Sequence, residues 1–285
     1  MIDLHDIRYV RLGTPDLDAA TRYCTDILGL QKIRTLGNAV YFRSDNRDHT
    51  LVYFEGDAHD HATGFELRSF EELEDAKQVL AHAGTEASWG TDQECEARFV
   101  QAFLTFNDPS GNRIELVWRP YHSGWRYFPS RDAGIDGFSH IGLRSTDPVR
   151  DERFWTKIMG ARVSDWIGQA PLLRIDDVHH KIALFPSEYP GVQHINHQVQ
   201  SIDDIMRSWY FLQEKGINIT FGPGKHPTST AMFLYFEGPD GMVFEYSSGV
   251  SSITDEAAHL PRQFPFEPAG FCMWGARPNI KEFKS

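Results

Sequence analysis

Strand-like apolar runs outnumber helical ones along this chain, and the helical stretches fall at regular places. The run Tyr9-Val-Arg-Leu-Gly-Thr-Pro-Asp16 reads as a strand and gives way to a helical pattern through Ile27-Leu-Gly-Leu30. Its echo is His140-Ile-Gly-Leu-Arg-Ser-Thr-Asp147, 131 positions later, which leads to a helical pattern through Ile158-Met-Gly-Ala161. A second pair, Phe65-Glu-Leu-Arg-Ser and His197-Gln-Val-Gln-Ser, stands 132 positions apart, and each member runs into a helix ending at Gly84 or Gly216. A third pair, 130 positions apart, begins at Phe103 and Phe233, passes through Pro-Ser-Gly or Pro-Asp-Gly, and ends at Glu115 or Glu245. Three landmarks at nearly constant offset predict a duplicated chain, with halves over 1–131 and 132–285.

The order strand, helix, several strands, repeated four times, predicts an α+β fold rather than a parallel α/β sheet. Asp16 and Asp147 are placed to cap helices, because a side-chain acceptor there meets orphan backbone N–H groups. The Pro-Ser-Gly and Pro-Asp-Gly segments carry turn chemistry. Segment 119–136, with Pro120, Gly124, Pro129 and Gly134, reads as a linker. The tail after Leu260 holds Phe264, Phe266, Phe271 and Trp274, enough apolar content to predict packing on a domain.

Composition narrows the classes. With 28 Lys+Arg, 40 Asp+Glu and a formal charge of −12, the chain lacks the positive field that nucleic acid or an anionic membrane requires. No apolar run approaches the roughly 20 residues of a spanning helix. The start lacks the basic-then-apolar order of a secretory signal. Cys24, Cys95 and Cys272 are far apart and odd in number, so they predict neither a disulfide framework nor a thiolate metal motif. A reducing, cytoplasmic setting is the expectation. Thirteen histidines are what composition leaves to explain.

The duplication allows an internal comparison. At matched positions the second half has His140, His197 and Glu245, and the first has Tyr9, Phe65 and Glu115. Two histidines and one carboxylate are the donor set of a facial triad, suited to Fe(II), Mn(II) or Zn(II) rather than soft Cu(I). Alternation sets Phe138 beside His140, His197 beside Ile195 and Val199, and Glu245 beside Val243. A carboxylate buried in such a run costs several kcal/mol unless a cation or donor meets it. A lone strand histidine is more often a hydrogen-bonded core residue, and Glu245 could instead pair with Arg144; the joint pattern favours a metal. Glu115, without histidine partners, reads as structural, so no metal is expected in the first half. Further polar residues gather in the second half: His179 and His180 before an apolar strand, His226 after a turn-rich loop, and Tyr235 ten residues before Glu245. An imidazole near a metal can shuttle protons and a phenol can donate to a developing oxyanion. Surface histidines and a core tyrosine are the plainer alternatives. His179, His194 and the first-half histidines read as ordinary, with His49, His59 and His61 facing solvent.

These residues resemble type I extradiol ring-cleaving dioxygenases of the vicinal oxygen chelate superfamily, of the dihydroxybiphenyl and catechol type. The matching motifs are Gly137-Phe-Ser-His140-Ile-Gly-Leu, His179-His180-x-Ile-Ala-Leu, Ile195-Asn-His197, His226 nine residues before Tyr235, and Pro239-Asp-Gly-x-x-x-Glu245-Tyr246. The resemblance spans nearly the whole chain. It implies two tandem modules of paired βαβββ units, with the metal only in the C-terminal one. It assigns His140, His197 and Glu245 as Fe(II) ligands, with Mn(II) an option for the same donors, and His180 as acid–base residue with His226 and Tyr235 lining the site. It implies a catecholic substrate and O2, no nucleic-acid or membrane partner, and a homo-oligomer. Where the family often has Asn-Asp after the position of His226, this chain has Pro227-Thr-Ser-Thr230, and the loop between His180 and His197 looks longer; both changes bear on the substrate. The rival readings are another metalloenzyme of the superfamily, such as a glyoxalase-like isomerase or a thiol transferase, and a non-catalytic aromatic-binding protein.

Overall fold

The computed structural model describes residues 1–284 as four βαβββ units in two modules. In the first module, β1 (Asp6–Thr14), α1 (Leu17–Arg22), β2 (Gln31–Leu36), β3 (Ala39–Arg43) and β4 (Leu51–Glu55) form one unit. The second unit is β5 (His61–Leu67), α2 (Phe70–His82), β6 (Ser88–Trp89), the short α3 (Asp92–Glu96), β7 (Ala102–Asn107) and β8 (Arg113–Trp118). The sequence of elements recurs as β9 (Ile135–Ser145), α4 (Pro148–Lys157), β10 (Arg162–Ile167), β11 (Ala170–Arg174) and β12 (Ile182–Pro186). It closes with β13 (Val192–Val199), α5 (Ile202–Glu214), β14 (Ile219–Lys225), β15 (Met232–Glu237) and β16 (Val243–Ser248). The tail adds β17 (Arg262–Phe264) and α6 (Pro268–Phe271).

Each module is one mixed sheet. Strand order is β2-β3-β4-β1-β5-β8-β7-β6 in the first and β14-β15-β16-β13-β9-β12-β11-β10 in the second, with β17 added beside β10. The two units of a module therefore join through their first strands, β1 with β5 and β9 with β13, both antiparallel. This is the α+β arrangement of paired units that the repeats predict. Asp16 and Asp147 do cap α1 and α4, accepting from Ala19 and Arg150 N–H. Ser69 and Glu72 form a reciprocal capping box on α2. Segment 119–134 belongs to neither sheet and joins the two modules.

One face of each sheet meets the helices in a continuous apolar core that includes Ile7, Phe65 and Leu116 of the first module and Phe138, Ile195 and Phe244 of the second. On the opposite face of the second sheet, Ile167, Leu172, Phe185, Phe221, Phe233 and Tyr235 pack against Phe271, Ile280 and Phe283 of the tail. The tail thus packs on the second module, as its aromatic content predicts. No helix among the described residues is long and apolar enough to cross a membrane.

Candidate metal centre

Strand register sets Tyr235 opposite Glu245, Glu245 beside Asn196, and Asn196 opposite His140. Directly paired residues share a face of a sheet, so one row of polar side chains crosses β15, β16, β13 and β9 on the face turned from the helices. His194, two residues before Asn196, shares that face. The structure brings His140, His194 and Glu245 together, all three buried.

Their geometry suits a bound cation. His140 Nε2 lies 3.1 Å from His194 Nε2 and 3.0 Å from Glu245 Oε2, and His194 Nε2 lies 3.5 Å from Glu245 Oε2. Two donors each about 2.1 Å from an ion and at right angles to one another are themselves about 3.0 Å apart. The three edges are those of one facial set. Glu245 Oε2 is buried and no N–H is aimed at it in hydrogen-bonding geometry, despite the nearby imidazole. Burial holds His194 at about 3, against the opposing pull of Glu245, so it is a neutral donor. Burial also works to raise Glu245, but the surrounding histidines win and keep it ionised, well below the usual carboxylate range. His194 Nδ1 faces the Gln193 Oε1, which fixes its protonated nitrogen and leaves Nε2 for a ligand.

The other candidates surround the triad. His180 stands with its ring centroid 4.3 Å from that of His140, and burial followed by the neighbouring histidines keeps it neutral. His226 Nδ1 donates to the Phe271 carbonyl at 2.8 Å, so its Nε2 accepts from the Tyr235 hydroxyl 3.2 Å away. Burial, and then Glu245, push the Tyr235 phenol well above its usual value, so it keeps its proton. His180, His194, His226, Thr228 and Tyr235 line one cavity, whose apolar wall includes Leu172, Phe185 and, from the tail, Phe271 and Phe283. At about 20 Å³ it holds roughly one water molecule.

His197, expected as a ligand, lies outside this cluster, and His194 stands in its place. Its side chain lies on the helix side of the sheet with Phe138 and Phe244, fully buried, with neither ring nitrogen hydrogen-bonded. The cause is a β-bulge: His140 pairs Asn196 but Phe138 pairs His197, so Ser139 is an extra residue. The bulge turns Phe138 and His140 to opposite faces, where uninterrupted alternation would have kept them together. Arg8 makes the same bulge between Ile7 and Tyr9. Arg144 pairs with Glu282, not Glu245.

Three histidines expected to be unremarkable are not. His49 is buried against Tyr9 with Nδ1 3.0 Å from Asp48 Oδ2. His61 bridges the modules, accepting from Val192 N–H and donating to the Ala58 carbonyl. His179 lies between His180 and Asp165. The signal for His194 was the alternation within β13, which sets His194 and Asn196 on the face opposite Ile195 and Val199.

The family model of the glyoxalase/bleomycin resistance protein/dioxygenase superfamily matches residues 6–116 and again 137–246, and the chain belongs to that superfamily. Within it, the chain is similar to an iron-dependent extradiol dioxygenase of Rhodococcus jostii (strain RHA1), 26% identical over 285 aligned positions that span 90% of this chain and 93% of the relative. Among solved structures, BphC, a halotolerant catechol dioxygenase, aligns with a TM-score of 0.88 at 24% identity, over 100% of this chain and 98% of the other. The Mn(II)-bound glyoxalase from Novosphingobium aromaticivorans aligns at 0.87 with 25% identity, over 100% and 95%.

Proposed function

We propose that the protein cleaves a catecholic ring beside its diol with O2, using a divalent ion, Fe(II) in the first instance, held by His140, His194 and Glu245. The carrying observation is the triangle of donors with 3.0–3.5 Å edges opening on a cavity lined by His180, His226 and Tyr235. Mn(II) suits the same donors. Similarity to the iron-dependent extradiol dioxygenase supports the reaction class.

An ion there would acidify the catechol hydroxyls and hold diol and O2 side by side, with three protein donors leaving positions for both. The protein supplies the rest. Leu172, Phe185, Phe271 and Phe283 take the ring and exclude water. His180, kept neutral by burial, accepts a hydroxyl proton at its ring nitrogen and later returns it. The Tyr235 hydroxyl, held by the bare Nε2 of His226, donates to an oxygen as negative charge develops, and His226 keeps that phenol in place. Because the cavity is small, the tail aromatics must shift to admit a ring. Anaerobic Fe(II) reconstitution followed by a catechol panel tests the reading: a yellow ring-fission product with matching O2 uptake is expected, and an iron-loaded protein that turns over no catechol contradicts it. A glyoxalase-type isomerisation is the second reading, favoured by the likeness to the Mn(II)-bound glyoxalase; a hemithioacetal assayed alongside the catechols separates the two.

A further inference from the structure

A chain of buried groups runs from His180 away from the cavity. His180 Nδ1 lies 3.1 Å from His179 Nδ1, and His179 Nε2 lies 2.9 Å from Asp165 Oδ2. Arg262, on the tail strand β17 directly beside β10, clamps that carboxylate through its backbone N–H at 2.8 Å and its guanidinium at 2.7 and 3.1 Å. Asp165 and His179 are both buried, and the chain reaches solvent only at Arg262.

The proton positions follow from valence. An ionised carboxylate only accepts, so His179 must carry its proton on Nε2. A neutral His179 then presents a bare Nδ1, and the facing Nδ1 of His180 must be the donor. His180 is left with its lone pair on Nε2, on a ring that lines the cavity. Supporting this, burial tends to raise Asp165 but the His179 and Arg262 hydrogen bonds hold it below the ordinary value, while burial lowers His179 despite Asp165.

The first module contains an independent version. His49 occupies the place of His180, as Arg34 and Tyr41 occupy those of Asp165 and Leu172 in matching strand pairs. There His49 Nδ1 reaches the Asp48 carboxylate directly, and Arg34 clamps Asp48 at 2.7 and 2.8 Å. Both modules thus anchor the equivalent imidazole through Nδ1 to a carboxylate held by an arginine, and the second interposes His179.

We propose that Asp165 and His179 are positioning residues that fix His180 in the tautomer with Nδ1 protonated and Nε2 bare, and that Arg262 ties this arrangement to the docked tail. The inference rests on the ring-cleavage reading for its catalytic consequence; the tautomer claim stands on geometry alone.

Two measurements test it. In metal-free protein, ¹⁵N NMR of the imidazoles, assigned with His180→Gln, should show His180 protonated at Nδ1. In Asp165→Asn, an amide that donates to His179 Nε2 reverses the chain, and His180 should appear protonated at Nε2. In the iron-loaded enzyme Asp165→Asn should lower kcat at least about a hundredfold, as when a buried carboxylate no longer orients its histidine, with iron content and catechol Kd within about twofold. His179→Asn, which keeps an acceptor near the Nδ1 position, should retain more activity than His179→Leu, and that pair decides the matter if Asp165→Asn fails to fold. His180 protonated at Nε2 in the wild type, an unchanged tautomer in folded Asp165→Asn, or equal activity of the two His179 variants overturns the inference. Absence of ring cleavage by the wild type would instead remove the functional reading, and the NMR result would still decide the tautomer.

Discussion

Glu115 and Glu245 occupy the same place in the two modules, each paired with Gly64 or Asn196 on one neighbouring strand and with Thr105 or Tyr235 on the other. What meets them differs. Glu115 receives the Tyr9 hydroxyl at 2.6 Å and a two-pronged Arg98 at 2.8 and 2.6 Å. Burial opposes both charges of that pair, yet their hydrogen bonds prevail, and Glu115 lies below and Arg98 above its ordinary value. Where the first module has Tyr9 and Ala62, the second has His140 and His194, and no arginine reaches the carboxylate. The same buried acid is balanced from within the chain in one module and by imidazoles arranged around an ion-sized space in the other. A second difference supports the first: β13 gains one residue at Gln193 relative to β5, a bulge whose side chain faces His194 Nδ1.

That contrast can be broken at several points. Glu245→Gln should abolish metal binding and lower catechol cleavage by more than about a thousandfold, the loss expected when several kcal/mol of ion stabilisation disappears; metal analysis and initial rates check it. Saturating metal should stabilise the wild type by about 4 kcal/mol at a thousandfold excess over Kd and leave His140→Ala unshifted in denaturant melts. Arg98→Ala should cost about 3–5 kcal/mol by leaving Glu115 buried and unpaired, while bound metal per folded molecule stays at the wild-type level.

Acid should reveal the buried imidazoles. Burial holds His61 and His197 each at about 4. Below their unfolded value near 6.5 the unfolded chain takes up protons that the native state refuses. Stability is therefore full above pH 6.5 and falls as the pH drops towards 4. His197→Phe, which copies Phe65 of the first module, should flatten this slope in pH-dependent melts. The smallest effect expected is at the tail: Phe283→Ala enlarges the cavity and should lower KM for bulky catechols by about tenfold or less.

The duplication was legible because turn and cap chemistry repeats at fixed spacing: Asp16 with Asp147, Gly84 with Gly216, and the two Pro-x-Gly turns. His140 and Glu245 were legible from the same alignment of halves, and His180, His226 and Tyr235 from their clustering in the second half and from the motifs shared with the extradiol dioxygenases. The exchange of His194 for His197 was not, because matching positions in two halves reports equivalence and not direction. His197 does match Phe65, and both belong to the helix-facing core. Bulges at Ser139 and Gln193 decide which side chains turn towards the cavity, and a one-residue bulge leaves no compositional mark. His179 and Asp165 were missed because their partnership joins β10 to the segment before β12 and depends on Arg262 from the tail.

We assign His194, and not His197, as the residue that completes the metal set with His140 and Glu245. Anaerobic Fe(II) titration of His194→Ala and His197→Phe, followed by calorimetry and iron analysis on folded protein, addresses it directly. Near-stoichiometric iron with wild-type affinity is expected in His197→Phe, and a loss of at least about a hundredfold in affinity in His194→Ala. Tight iron binding by His194→Ala, together with its loss in folded His197→Phe, would contradict it.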